Sequence, residues 1–181
     1  MSHITTGVEY ALHSLLYLAG PHAESRQASA RELAEYQDIP TDFIKKIFTR
    51  LQKAGLVSST EGVKGGFRLA KPPAEISVWD VIVAVDGEKK LFDCRDIRSR
   101  CLVFKGRPPG WATTGVCAIH AVMLEAEAAM RRMLRSRTLA DIAAKLDSKA
   151  TRPPTLLFDE WLAENTAPRP AGTAHLESDR G

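Results

Sequence analysis

The sequence lacks any apolar run long enough to cross a membrane and has no early stretch typical of a secretory signal. Glu9 and His13 interrupt the only apolar run near the start, whereas a membrane helix needs about 20 consecutive apolar residues. The chain has 181 residues, enough for one domain of ordinary size without disulfide bonds to stabilise it. We therefore expect a soluble, cytoplasmic protein with no membrane partner.

Cysteine is scarce, and its few copies are clustered. The only three, Cys94, Cys101 and Cys117, lie within residues 94–117. In a reducing compartment, an odd and clustered set of cysteines indicates metal binding or redox activity more than disulfide formation. Thiolates are preferred ligands of zinc and of iron–sulfur clusters. Three inert core thiols remain the alternative.

The net charge of +3 is small, but it is unevenly distributed. Residues 41–71 contain seven Lys or Arg against two acidic residues, so this segment carries +5 and the remainder about −2. A local basic excess indicates a polyanionic partner. A merely solvated helix face is the alternative interpretation.

The order of elements predicts a mainly α-helical fold with one small β-hairpin. Apolar residues recur at helical spacing over residues 4–19, 30–36 and 40–54. Ser29 with Glu32 predicts a capping box at the start of the second helix, and Ser77 with Asp80 predicts one for a fourth helix after the hairpin. Alternating residues with a glycine-rich turn then predict a hairpin over residues 56–70. Two helices joined by a tight turn and followed by such a hairpin are typical of a winged helix-turn-helix domain, whose second helix enters the DNA major groove.

Double-stranded DNA with a palindromic operator is therefore the expected partner. Thr41 and Asp42, at the start of the third helix, are candidates for contacts to base edges, and Lys64 and Arg68 of the hairpin for contacts to phosphates. The predicted DNA-binding residues are Thr41, Asp42, Lys45, Lys46, Thr49, Arg50, Lys64 and Arg68.

A fourth helix, a cysteine loop and a longer helix follow the hairpin. The longer helix carries apolar residues every three or four positions, which predicts either packing within the chain or a homodimer seam. These residues are Ile119, Met123, Ala126, Met130 and Met133. We predict a winged helix-turn-helix domain (1–88), a cluster-binding loop (89–118), a dimerisation helix with a closing helix that begins at Thr138 (119–150), and a C-terminal extension (151–181). The apolar and aromatic residues at 156–162 of that extension should dock on the same domain, and the extension is flexible after about residue 166.

Five short stretches carry a resemblance to a known family: residues 54–57, 61–69, 76–82, 84–87 and Cys117–His120. Together they resemble the wing, fourth helix and cluster region of the Rrf2 family of bacterial winged-helix regulators, over about residues 2–146. The resemblance implies a homodimeric transcriptional repressor. It also implies an iron–sulfur cluster that senses redox state, nitric oxide or iron–sulfur status.

Two further stretches, residues 7–13 and 92–100, resemble the redox-sensing RsrR type within that family. This resemblance implies a [2Fe–2S] cluster bound by Glu9 and His13 together with loop cysteines of the other subunit. Glu9 and His13 are four residues apart and so share one helix face; an exposed Glu–His pair without ligand is the alternative. The predicted metal ligands are Glu9, His13, Cys94, Cys101, Cys117 and His120, with zinc as the second choice of metal.

The chain departs from that family pattern in three places. Relatives carry a cysteine just before the final loop ligand where this chain has Ala112–Val116, and Cys101 has no counterpart in the members it most resembles. Glu61 stands where other wings have a basic residue. Lys64 is the substitute we expect for that contact.

Two other classes of function remain open from the sequence. Cys117 and His120 could serve as nucleophile and base of an enzyme, but no stretch resembles an oxyanion hole or a substrate pocket. We therefore expect neither an enzyme nor a small-molecule substrate. A partner-binding module without a cluster is the remaining alternative, and salt-dependent binding to DNA distinguishes the two.

Overall fold

Three helices build the predicted helix-turn-helix unit in the computed structural model, which describes residues 4–20, 26–60 and 65–166. They are α1 (Thr6–Leu18), α2 (Ala30–Tyr36) and α3 (Thr41–Lys53). The capping box predicted for α2 is present, because Ser29 Oγ accepts from the amide of Glu32 at 3.2 Å and Glu32 accepts from the amide of Ser29 at 2.6 Å. α3 buries Ile44, Ile47, Phe48 and Leu51, which leaves its polar side exposed.

The hairpin forms the expected wing. Strands β1 (Val57–Thr60) and β2 (Gly66–Leu69) pair antiparallel. The wing is tied to the segment before α2 by two backbone hydrogen bonds between Ala28 and Phe67, of 3.0 and 2.8 Å. Glycine is required at position 66, since a Cβ there would lie 2.8 Å from the backbone of Ala28. The turn that carries Glu61 and Lys64 lies outside the described residues.

The fourth helix, α4 (Val78–Asp86), completes the core of this unit by packing against α1 and α3. The box predicted at its start, between Ser77 and Asp80, is present. At its end Gly87 has φ 77°, a conformation that favours glycine. Asp86 then accepts from the amide and the hydroxyl of Thr5, at 2.9 and 2.6 Å, which joins the last turn of α4 to the start of α1.

Four further helices are described after α4, the first of them within the cysteine loop: α5 (Gly110–Thr113), α6 (Ala118–Arg135), α7 (Leu139–Asp147) and α8 (Pro154–Thr166). The closing helix predicted near residue 138 is α7, and a capping box of Thr138 and Asp141 begins it. α7 returns to α1 and buries Leu139 in the main core. The body formed by α1–α4, the wing, α7 and α8 therefore shares one core.

The apolar segment after residue 153 docks on the body, as expected from the sequence, and it does so as helix α8. Phe158 is fully buried and stacks on Tyr17 with ring centroids 5.2 Å apart. Asp159 pairs with the buried guanidinium of Arg26, which also donates to the carbonyl of Tyr17 at 2.8 Å. The segment predicted to be flexible, from residue 167 onward, lies outside the described residues.

Candidate DNA surface and metal-ligand sites

The N-terminal half of α3 offers a polar surface suited to DNA. Asp42, Lys45, Lys46 and Thr49 are exposed and Thr41 is half-buried. Lys45 forms an ion pair with Asp42 at 3.3 Å. Exposed ion pairs of this kind are worth little in free energy, so both side chains are free to exchange partners when DNA approaches.

Two of the predicted DNA-binding arginines already have partners within the chain. Arg50 donates to the carbonyl of Val85 at 2.5 Å, which connects α3 to the end of α4. Arg68 donates to Ser58 Oγ at 3.1 Å across the wing. Any phosphate contact made by these arginines would compete with a bond that holds the domain together.

Glu9 and His13 lie exposed on the same side of α1, at the edge of an open apolar groove between α1 and α7. The groove has a volume of about 510 Å³. Its apolar walls include Val8, Leu12, Leu16, Ile142 and Leu146. The two polar side chains therefore stand at an accessible site with room for an additional group.

Cys117 occupies the N-cap position of α6. The backbone amides of His120 and Ile119 lower the pKa of its thiol. Desolvation opposes this change, and smaller opposing contributions come from the positive charge of Arg98, which lowers the pKa, and from Asp96, which raises it. Thiolates are stabilised at helix N-termini in this way. Cys117 is thus the cysteine best prepared to act as a metal ligand or a nucleophile.

Arg98, which was not among the residues predicted from the sequence, organises the loop around Cys117. Its guanidinium donates to the carbonyls of Trp111 at 2.9 Å and Thr114 at 3.0 Å, and also to the carbonyl of Gly115. Three carbonyls from the segment before Cys117 thus converge on one side chain. The only signal available in the sequence is that Arg98 lies within the stretch at residues 92–100 that resembles the RsrR type.

The remaining predicted ligands are spread over the loop. Cys101 is exposed between two short 3-10 turns, and Cys94 is half-buried; all three cysteines are free. His120 is half-buried, with its ring 5.9 Å from that of Phe92. Within residues 4–20, 26–60 and 65–166, no three His, Cys, Asp or Glu side chains come together in a metal-binding arrangement. Within the described residues of one chain, the predicted metal-ligand side chains therefore lie in separate places.

Helix α6 differs from the predicted single seam, because it has two apolar faces. Met130 packs against the core of the body, on the side where Glu127 accepts from the amide of Leu91 at 2.9 Å and Arg131 lies over the Trp79 ring at 5.1 Å. A second face is exposed, and we call it the outer stripe: Ile119, Val122, Ala126, Ala129 and Met133. Spacing of three and four residues is that of a coiled-coil seam.

The chain is similar in sequence to known transcriptional regulators. Residues 4–145 match the Rrf2 family, described as an iron-dependent transcriptional regulator. A putative HTH-type transcriptional regulator of Aquifex aeolicus is 31% identical over 135 residues, which cover 75% of this chain and 87% of that protein.

Solved structures show the same fold. The global cysteine regulator CymR of B. subtilis is similar with a TM-score of 0.63 at 23% identity, covering 80% of this chain and 98% of that one. IscR of T. potens is similar with a TM-score of 0.61 at 23% identity, covering 83% and 93%. Helix α8 lies beyond the residues that match the family. None of the described helices is long and apolar enough to span a membrane.

Proposed function

This chain belongs to the Rrf2 family, and from that premise we propose that an iron–sulfur cluster of the [2Fe–2S] type controls its binding to DNA. The protein is a DNA-binding transcriptional regulator and not an enzyme. We propose that it acts as a repressor on a palindromic operator and that its signal is redox state, nitric oxide or iron–sulfur status. The description of the family as iron-dependent supports an iron cofactor.

One observation carries this proposal: the donors form two incomplete halves. Glu9 and His13 stand together on α1, and the stabilised thiol of Cys117 stands on the loop, with no third donor gathered at either place in the described chain. A two-iron cluster needs four protein ligands, and mixed sets of thiolate and histidine occur. A second copy of the chain would supply the missing half, with Cys117 and one further loop cysteine, Cys101 or Cys94, completing the four ligands.

The residues of this chain would then hold the cluster and orient the two halves of its site. Glu9 and His13 fix one side of the site to α1, and Arg98 holds the loop that presents Cys117. The bound cluster would supply one-electron chemistry, with a potential raised by the histidine ligand. A change at the joint between α1 and the partner's loop would alter the separation of two recognition helices, which must match half-sites about 34–36 Å apart.

The ligand set is tested by the visible spectrum and the iron and sulfide content of anaerobically purified protein. We expect the double variant E9Q/H13Q to lose the brown to red colour. The matched variant E125Q, which changes an exposed glutamate of α6, should keep it. A chromophore that survives E9Q/H13Q unchanged would exclude these two residues as ligands.

A mixed dimer tests whether the two halves come from different subunits. When an E9Q/H13Q subunit is paired with a C117S subunit, a site shared between chains leaves one of the two sites complete. We then expect about half of the wild-type iron, whereas each variant alone binds little. A site formed within one chain would leave the mixed dimer as empty as its parents, and that result would contradict the shared site.

A regulator that uses a thiol switch or zinc, without a cluster, is the second candidate. The lowered pKa of Cys117 favours it, because a stabilised thiolate reacts readily with oxidants. Colourless protein that contains zinc, or that changes DNA affinity on reversible oxidation without iron, would support this candidate. A partner-binding module that has lost DNA recognition would show no salt-dependent binding to promoter DNA.

A further inference from the structure

A basic cleft separates the end of α3 from the end of α6, on a part of the surface that neither the proposed cluster site nor the base-reading end of α3 uses. It has a volume of about 730 Å³, within the range of small-molecule sites. Four elements line it: α3, the segment after β2, α4 and α6. The lining residues that matter most are Arg50, Lys53, Lys71, Trp79, Glu88 and Arg135.

The charges of this basic cleft are unbalanced. Its two carboxylates are engaged, since Asp80 caps α4 through Ser77 and Glu88 pairs with Arg131. Within the described part of the chain, Lys53, Lys71 and Arg135 have no carboxylate within ion-pair distance and are exposed. Three cations from three separate segments therefore face one concave space, in which four cationic side chains outnumber two carboxylates.

The preference for cations at helix C-termini accounts for two of these three cations but not for the third. Lys53 and Arg135 lie in the last turns of α3 and α6, where a cation complements the helix dipole. Lys71 belongs to neither helix. The Arg135 guanidinium also lies over the Trp79 ring at 5.9 Å, which limits the orientations of its planar donor fork. The convergence of these groups needs a further reason.

We propose that the basic cleft binds a small ligand that carries two or more phosphate groups. Arginine forks and lysine ammonium groups together are the usual partners of phosphate oxygens. The ligand would join the C-terminal end of the recognition helix to the end of α6. The predicted base contacts at Thr41 and Asp42 lie at the opposite end of α3, about 18 Å away along its axis, so the cleft is distinct from the base-reading surface.

Calorimetric titration of the full chain with sodium pyrophosphate at low ionic strength tests the proposal. We expect one pyrophosphate per chain, with affinity reduced at least about tenfold in K53Q/R135Q and also reduced in K71Q, which alters no helix. The control K145Q/K149Q removes the same charge from exposed lysines in and after α7 and should bind like the wild type. Thermal melting shows that each variant is folded.

Three outcomes would overturn the proposal. They are no binding to the wild type, an equal reduction in the control variant, and a reduction explained by unfolding. Operator DNA provides the remaining distinction, since removing one phosphate-binding cation from a DNA interface lowers the salt slope of DNA affinity by about one. An unchanged slope in K53Q/R135Q supports a free ligand, whereas a reduced slope would assign the cleft to the DNA backbone.

Discussion

The body and the segment from residue 88 to residue 135 differ sharply in how completely one chain buries them. In the body, up to residue 86, Phe43 is the single large apolar side chain that is exposed among the described residues. Between residues 88 and 135, the structure buries only Ala112 and Glu127. Ten large apolar residues are exposed there, with Leu102 at 94% and Val103 at 77%.

This contrast indicates that the loop and α6 make contacts that a single chain does not provide. Exposed apolar patches of this extent mark interaction sites in soluble proteins. The outer stripe of α6 has small residues at its centre, Ala126 and Ala129, which allow two helices to approach closely. The proposed two-fold dimer would cover the stripe, and a cluster site shared between subunits would also require each loop to lie near the α1 of its partner.

The largest expected effect comes from charging the outer stripe. The double variant A126E/A129E would place four like charges at a two-fold contact, where each close like-charge pair costs several kcal/mol. We expect the dimer dissociation constant to rise more than about a thousandfold, measured by sedimentation equilibrium. The matched variant A128E puts the same residue on another exposed side of α6 and should leave the dimer intact. A dimer that persists in A126E/A129E would move the interface elsewhere.

Two substitutions to alanine, one in each region, compare how much a buried and an exposed side chain contribute to the free energy of unfolding. Phe48 is fully buried in the body, so Phe48→Ala should lower the free energy of unfolding by about 3–5 kcal/mol. Leu102 is almost wholly exposed, and Leu102→Ala should change it by less than about 0.5 kcal/mol in the isolated chain. Urea denaturation gives both values, at protein concentrations below and above dimer formation. A large destabilisation by Leu102→Ala in the dimer only would show that the partner buries it.

The smallest expected effect concerns Arg98 and the reactivity of Cys117. Because the positive charge lowers the pKa of the thiol, Arg98→Ala should raise that pKa and shift the pH profile of alkylation to higher pH. Below the pKa the rate should fall by less than about tenfold, since one unit is tenfold in thiolate and the backbone amides remain. Iodoacetamide labelling of metal-free protein checks this, with Arg107→Ala in the same loop as the control. A profile that moves equally in both variants would argue against a specific role for Arg98.

The features predicted correctly are those with local signals. Ser29 with Glu32 and Ser77 with Asp80 indicate helix starts within four residues, and the patterns at residues 56–60 and 67–70 indicate the two paired strands of the wing. The role of Arg98 had no such signal, because its partners are backbone carbonyls, which every residue possesses. The sequence also left open which side of α6 packs on the core, since Met130 and Met133 both fit one apolar seam at helical spacing. Met130 packs against the main core whereas Met133 is 56% exposed, and this difference decides between them.

The outcome for the predicted metal ligands differs from that for the helix starts. The spacing of Glu9 and His13 predicted a shared helix face, and the structure places both at one groove. Which cysteine joins them depends on a second chain, and no pattern within one sequence specifies the distance across a dimer. The roles of Cys94, Cys101 and His120 therefore stay predictions.

The docking of α8 has a consequence for the newly made chain. Phe158 covers Tyr17 and Tyr36, yet it is synthesised about 120 residues after Tyr36. At about 5–20 residues per second, the aromatic side of α1 and α2 waits roughly 6–24 s for its cover. During that interval a nascent chain exposes to chaperones a surface that the finished protein hides, so the docking of α8 follows the synthesis of the helices that it covers.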